Sequence, residues 1–107
     1  MTEKERKNMK NFRTYQMALK LVREAKAIKL RTPYKDQFER ALLSIPLNLA
    51  EGSAKQSVKD RLRFYEIALG SFKEVKTLID ILNLQPLMPI ADKLGALLFC
   101  LCRALRH

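Results

Sequence analysis

The chain has 107 residues, 48% of them hydrophobic, enough for one domain around a single modest core. Lys and Arg number 21 against 11 Asp and Glu, and the resulting +10 calls for a polyanionic partner, with nucleic acid ahead of an anionic membrane surface. One terminal histidine, His107, leaves nothing for a histidine general base, a Ser-His-Asp triad or a multi-histidine metal centre, and two cysteines fall short of a four-ligand zinc site.

Residues 1–13 (MTEKERKNMKNFR) are charged and nearly free of aliphatic side chains, so they are expected to form a flexible basic arm ahead of a folded unit, residues 14–107. Thr14 is the expected N-cap of a first helix, in which Ala18, Leu21, Val22, Ala25 and Ile28 form one apolar stripe. Arg31-Thr32-Pro33 should end it, since a residue before proline is pushed out of the helical region.

A second helix is expected from Tyr34 or Lys35 to Ala54. Phe38, Ala41, Leu42, Ile45 and Leu49 make its main stripe, and Leu43, Leu47 and Ala50 a second one. The second stripe exceeds what one bundle interior needs and implies a protein–protein surface, most simply between copies of the chain, unless the bundle wraps this helix deeply. Pro46, inside this helix, removes a backbone donor and crowds the Leu42 carbonyl, which predicts a kink or local bulge. Gly52 and Ser53 are candidates for a left-handed helix end, and Ser57 with Asp60 for the next N-cap.

The third helix, Val58 to Asn83, carries Leu62, Tyr65, Leu69, Phe72, Val75, Ile79 and Leu82 in register. Pro86 and Pro89 interrupt the chain before a fourth helix with Ile90, Leu94, Leu97, Leu98, Leu101 and Leu105. Cys100 and Cys102 lie there, about 200° apart around a helix, which makes a bond between them improbable and gives them the role of buried small hydrophobes. Four amphipathic helices with short connections specify an all-α, antiparallel up-and-down four-helix bundle. No apolar run approaches the ~18 residues of a membrane span, and no basic start leads into an apolar signal core, so a cytoplasmic protein with no membrane partner is expected.

The charge is uneven. Residues 1–35 hold eleven Lys or Arg and three acids, whereas residues 36–107 hold ten and eight. Lys10, Arg13, Lys20, Arg23, Lys26 and Lys29 therefore form the first candidate nucleic-acid surface. Lys55, Lys59, Arg61 and Arg63, at the start of the third helix where free backbone donors also favour anions, form the second. No zinc finger, basic zipper, RRM, KH signature or Gly-rich phosphate loop accompanies them, so binding should follow shape and phosphates and not base edges. Tyr15, Tyr34 and Tyr65 could stack on bases, although at helical spacing among aliphatics they read as core residues with a wet hydroxyl.

Two segments have a specific look: RALLSIPLNLAEG from Arg40 to Gly52 and IALGSFKEV from Ile67 to Val75. Through Ser44, Ile45, Pro46, Asn48, Ala50, Glu51 and Gly52, then Ala68, Gly70, Ser71 and Glu74, the chain resembles the family of proteins encoded in intervening sequences of bacterial large-subunit ribosomal RNA genes. That family includes the accessory proteins of diversity-generating retroelements. Leu43 and Leu47 are bulky where the family usually has small residues, and Lys76 stands where an acid is common. The resemblance implies a helical bundle assembling as a ring-like homopentamer with a basic surface, a role in binding RNA or DNA and, for the retroelement branch, a reverse transcriptase as partner.

Asn48, on a largely apolar helix, must find partners, and Ser71 and Glu74 on the third helix are natural ones. Gly70, at the middle of the longest helix, suggests that another helix passes close by. Asn48, Glu51, Gly70, Ser71 and Glu74 are therefore expected to form a structural polar network and not a catalytic site. Glu51 and Glu74 lack the Glu-x-x-His ligands of di-iron bundles. No enzymatic activity, catalytic residue, cofactor or metal is expected. The alternative to a nucleic-acid-binding protein is an adaptor whose basic face docks a partner protein.

Overall fold

The computed structural model describes residues 2–106, with the side chains of residues 3–9 outside the description. Four α-helices pack around one core: α1 Glu3–Ala25, α2 Tyr34–Ser53, α3 Val58–Ile81 and α4 Met88–Leu105, the last entered through a short 3-10 turn, Gln85–Leu87. Among the described residues there is no strand. Each helix packs on its neighbour in the chain, and α4 returns to α1 to close the bundle, 45 × 23 × 20 Å in extent. Opposed pairs give the directions: Arg40 and Ser44 of α2 meet Glu74 and Ser71 of α3, and Arg106 after α4 meets Glu66 of α3. These are antiparallel neighbours, as the short connections predict.

The apolar stripes read from the sequence face inward. Ala18, Leu21 and Ala25 of α1, Phe38, Ala41, Leu42, Ile45 and Leu49 of α2, Tyr65, Ala68, Leu69, Phe72, Val75 and Ile79 of α3, and Ile90, Leu94, Leu98, Leu101 and Leu105 of α4 are all buried. Burial of these side chains, at about 1.5–3 kcal/mol for a large aliphatic or aromatic one, is the main force holding the helices together.

Several boundaries differ from expectation. The backbone is helical from Glu3, so the boundary at Thr14 falls inside α1; the side chains of residues 3–9, part of the expected arm, lie outside the described residues. Lys, Glu, Arg and Met are good helix formers and nothing between Glu3 and Thr14 breaks a helix. Thr14 is not an N-cap: it is buried, and its hydroxyl donates to the Lys10 carbonyl one turn back at 2.8 Å. At the other end α1 stops at Ala25, six residues before Arg31, and residues 26–28 leave in tight turns that return Ile28 to the core. Thr32–Pro33 is cis. Pro46 sits buried inside α2, which remains α-helical through it.

Gly52 does not end its helix in a left-handed conformation. It is buried within α2, and a Cβ built on it would stand 2.7 and 2.8 Å from Cε1 and Cδ1 of the buried Tyr65 ring and 3.1 Å from Cβ of Phe64. The glycine is there for close approach, and Gly95 of α4 serves the Phe72 ring in the same way, at 2.8 Å. The left-handed residue is Asn83 after α3, with φ 53°, where Leu84 N–H donates to the Ile79 carbonyl at 2.9 Å. Ser57 does cap α3 as read, accepting from Asp60 N–H at 3.1 Å. Cys100 is exposed and Cys102 buried, so the 200° offset separates their roles and only Cys102 is a core residue.

Candidate nucleic-acid interface

Antiparallel packing brings the middle of α1 beside the end of α2 and the start of α3. Asn11, Phe12 and Tyr15 of α1, Leu49, Ala50 and Ser53 of α2, and Arg61 of α3 line one trough of about 350 Å³. The two basic segments of the sequence therefore approach one another in part: Asn11 and Phe12, between Lys10 and Arg13, line the same trough as Arg61, between Lys59 and Arg63. Lys10, Arg13, Lys59 and Arg63 are exposed, and Lys10, Arg13 and Lys59 have no acidic partner among the described residues.

Lys20, Arg23, Lys26 and Lys29 belong elsewhere. At about 1.5 Å per residue, Lys26 lies ~20 Å along α1 from Arg13, toward the opposite end of the molecule. There Lys26, Lys29 and Lys35 edge a groove of about 740 Å³ whose floor includes Val22, Ile28, Leu30, Phe38 and Leu42. The basic block of residues 1–35 is thus one surface in sequence and two in space.

The second cluster is held by local contacts. Lys55 Nζ stands 5.2 Å and the Arg63 guanidinium 4.9 Å from the centre of the Phe64 ring, so two cations share one aromatic. Glu51 pairs with Lys55 at 3.2 Å and offsets part of its charge. Arg61 is more than a surface cation: its Nη2 donates to the Lys55 carbonyl at 2.9 Å, tying the α2–α3 turn, while its Nε is buried without a partner. The Tyr65 hydroxyl is buried too, with the Asn11 side chain close to it but no well-formed hydrogen bond, and burial pushes its pKa up against the opposing influence of the Arg61 charge and the Asn11 side chain. Tyr65 is therefore core but dry; Tyr15 is half-buried and Tyr34 exposed.

The polar network forms with different members. Ser44 and Ser71 hydroxyls meet at 2.6 Å across the α2–α3 seam, and the Asn48 amide donates to the Ser44 carbonyl at 2.8 Å and its hydroxyl at 3.0 Å. Arg40 Nη2 donates to both oxygens of Glu74 at 2.8 Å. Glu51 faces Lys55 and is outside this network. Nothing lies within 4 Å of a Cβ built on Gly70, so within one chain no helix crosses close to it. Ser44 and Arg40 are the members that reasoning from the sequence missed. The signal was available: Arg40, Ser44 and Asn48 stand at four-residue steps, one row on a helix surface.

Flanking that seam is an exposed apolar face. Leu43 is 51%, Leu47 65% and Ile67 45% exposed, and Ala50 and the open Gly70 continue the face. The second stripe of α2 is thus left uncovered by the bundle. Among the described residues no three His, Cys, Asp or Glu side chains are gathered to hold a metal ion, and no helix is long and apolar enough to cross a membrane. Burial raises the pKa of the Cys102 thiol, which keeps it protonated and unreactive.

Comparison with known proteins yields one family. The model described as 23S rRNA-intervening sequence protein matches residues 10–98, from the first basic residues of the interface through most of α4. No curated protein matches the chain.

Proposed function

The chain belongs to the 23S rRNA-intervening sequence protein family, and from that membership and the placement of its cations we propose a non-enzymatic, oligomeric protein that binds RNA or DNA through phosphate contacts. The observation that carries this reading is that the segment holding Lys10 and Arg13 and the segment holding Lys59, Arg61 and Arg63 line one trough, although some 45 residues separate them in sequence. A polyanion is the partner that such a surface attracts, and counterion release makes the attraction salt-dependent.

Oligomerisation follows from the uncovered face. Leu43, Leu47 and Ile67 present apolar surface around a seam whose polar groups are already satisfied internally, and Gly70 leaves room for another backbone. Copies joined there, as a pentameric ring, would repeat the basic end and multiply its field. The more specific form, an accessory protein of a diversity-generating retroelement with a reverse transcriptase as partner, predicts a reverse transcriptase gene with template and variable repeats beside this one. Filter binding to structured RNA tests the general reading: affinity should fall steeply between about 50 and 200 mM salt, and no binding at the lower concentration would refute it.

One observation favours the adaptor alternative. The apolar groove edged by Lys26, Lys29 and Lys35 suits an acidic, amphipathic segment of a partner protein. Charge reversal at Lys20, Arg23 and Lys26 separates the readings: loss of a protein partner with RNA binding intact favours the adaptor.

A further inference from the structure

We infer that the trough between α1, the end of α2 and the start of α3 is a site for a single unstacked nucleobase. The inference deepens the nucleic-acid reading and rests on it for the biological source of the base. Sequence alone pointed only to phosphate contacts, because no recognition motif is present.

Three features of the trough point to a base. Its volume of about 350 Å³ lies in the range of small-ligand sites, which run from ~300 to 1,000 Å³. Its α1 wall carries Phe12 and Tyr15, three residues apart and so on one helix face, and Phe12 is 63% exposed with no core role to explain it. An aromatic held at the mouth of a cavity offers the face on which an unpaired base stacks. Beside it stand polar groups: the Asn11 amide, the Ser53 hydroxyl, which donates to the Ala50 carbonyl at 2.8 Å and keeps its acceptor lone pairs, and Arg61, whose Nη2 holds the Lys55 carbonyl and whose Nε has no partner. A guanidinium and an amide lining the trough are donors suited to the acceptors on a base edge or a flanking phosphate.

The surroundings fit the same ligand. Lys10 and Arg13 on α1 and Lys59 and Arg63 on α3 supply exposed cations at this end for the phosphates on either side of the base. The groove at the opposite end has lysines and apolar walls but lacks an exposed aromatic of this kind. A nucleobase presented by a bulged or single-stranded RNA and one presented by a free nucleotide share this chemistry, and the experiment distinguishes them.

The test compares two RNA hairpins that are identical except that one carries a single bulged adenosine, alongside adenosine monophosphate titrated into the isotope-labelled full chain. Preference for the bulged hairpin, with shifts at the Asn11, Tyr15 and Ser53 amides, is the expected result. Phe12→Ala, at an exposed position that leaves the core untouched, should remove the preference, weakening bulged-hairpin binding roughly ten-fold or more while the paired hairpin keeps its affinity and salt slope. Shifts with the nucleotide and no hairpin preference would establish the site with a free nucleotide as its ligand. If paired RNA binds with a steep salt dependence but neither preference nor nucleotide shifts appear, the inference is overturned and the functional reading stands. If no RNA binds while the nucleotide still shifts those amides, the reading fails and the site remains.

Discussion

Two glycines on adjacent helices should respond to the same substitution with opposite signs. Gly70→Ala adds a methyl where nothing lies within 4 Å, so its effect on the isolated bundle is the intrinsic helix preference for Ala over Gly, a gain of about 1 kcal/mol. Gly52→Ala makes the same gain but drives its methyl to 2.7–3.1 Å from Tyr65 and Phe64, and the Tyr65 ring is fully buried. Overpacking of this kind costs about 1–3 kcal/mol, and three simultaneous contacts place it at the upper end, leaving a net loss of ~2 kcal/mol. For a domain of this size the melting temperature should rise by about 4–8 °C in the first variant and fall by roughly 10 °C in the second. Urea and thermal unfolding followed by circular dichroism at low protein concentration, where association contributes least, reads both. Equal shifts in the same direction would refute the assignment of Gly52 to close helix–ring packing.

Other expectations follow from particular contacts. Tyr65→Phe removes a buried hydroxyl that makes no well-formed hydrogen bond, so at neutral pH it should be neutral or stabilising in urea unfolding. Because burial raises the Tyr65 pKa above its unfolded value of about 10, the neutral phenol contributes stability below that pH and loses it as the pH climbs through the raised value; the wild type should weaken more than the phenylalanine variant in that window. Ser71→Ala breaks the 2.6 Å bond to Ser44 and should lower stability by about 0.5–1.5 kcal/mol, whereas Arg40→Ala, at a largely exposed ion pair, should change it by less than about 1 kcal/mol in the same assay. Leu43→Ser with Leu47→Ser should leave the monomer's unfolding midpoint nearly unchanged but reduce the mass measured by light scattering; an unchanged mass would remove that face as the contact between copies.

The core was largely legible in the sequence because each helix advertises its buried face by a repeat of three and four residues, from Leu21 in α1 to Leu98 in α4. Helix ends were less so. Residues 26–31 contain no breaker and carry Ile28 in phase with the α1 stripe, so nothing local announces the stop at Ala25; the exit is a tertiary event that tucks Ile28 into the core. Glycine was ambiguous for a physical reason. The missing side chain permits both a left-handed backbone and a close contact, and Gly52 uses the second while Asn83 performs the first. The site was half visible: residue types and clusters were readable, but summing charge along the chain merged Lys10 with Lys26, which a long helix holds apart. The approach of the Lys10–Arg13 segment to the Lys59–Arg63 segment depends on antiparallel connectivity, and the trough that both line has no signature in either segment alone.

The salt dependence of RNA binding by a variant with Lys55, Lys59 and Arg63 all changed to Gln bears most directly on the account, because it removes three cations, with the exposed contacts of Lys55 and Arg63 to Phe64, and leaves Arg61 to hold its turn. If these side chains neutralise phosphates, the slope of log affinity against log salt should become shallower than the wild type's by about 2–3, at ~0.7–0.9 per lost contact. A slope unchanged from the wild type would contradict the account and move the polyanion, if one binds, away from this end of the bundle.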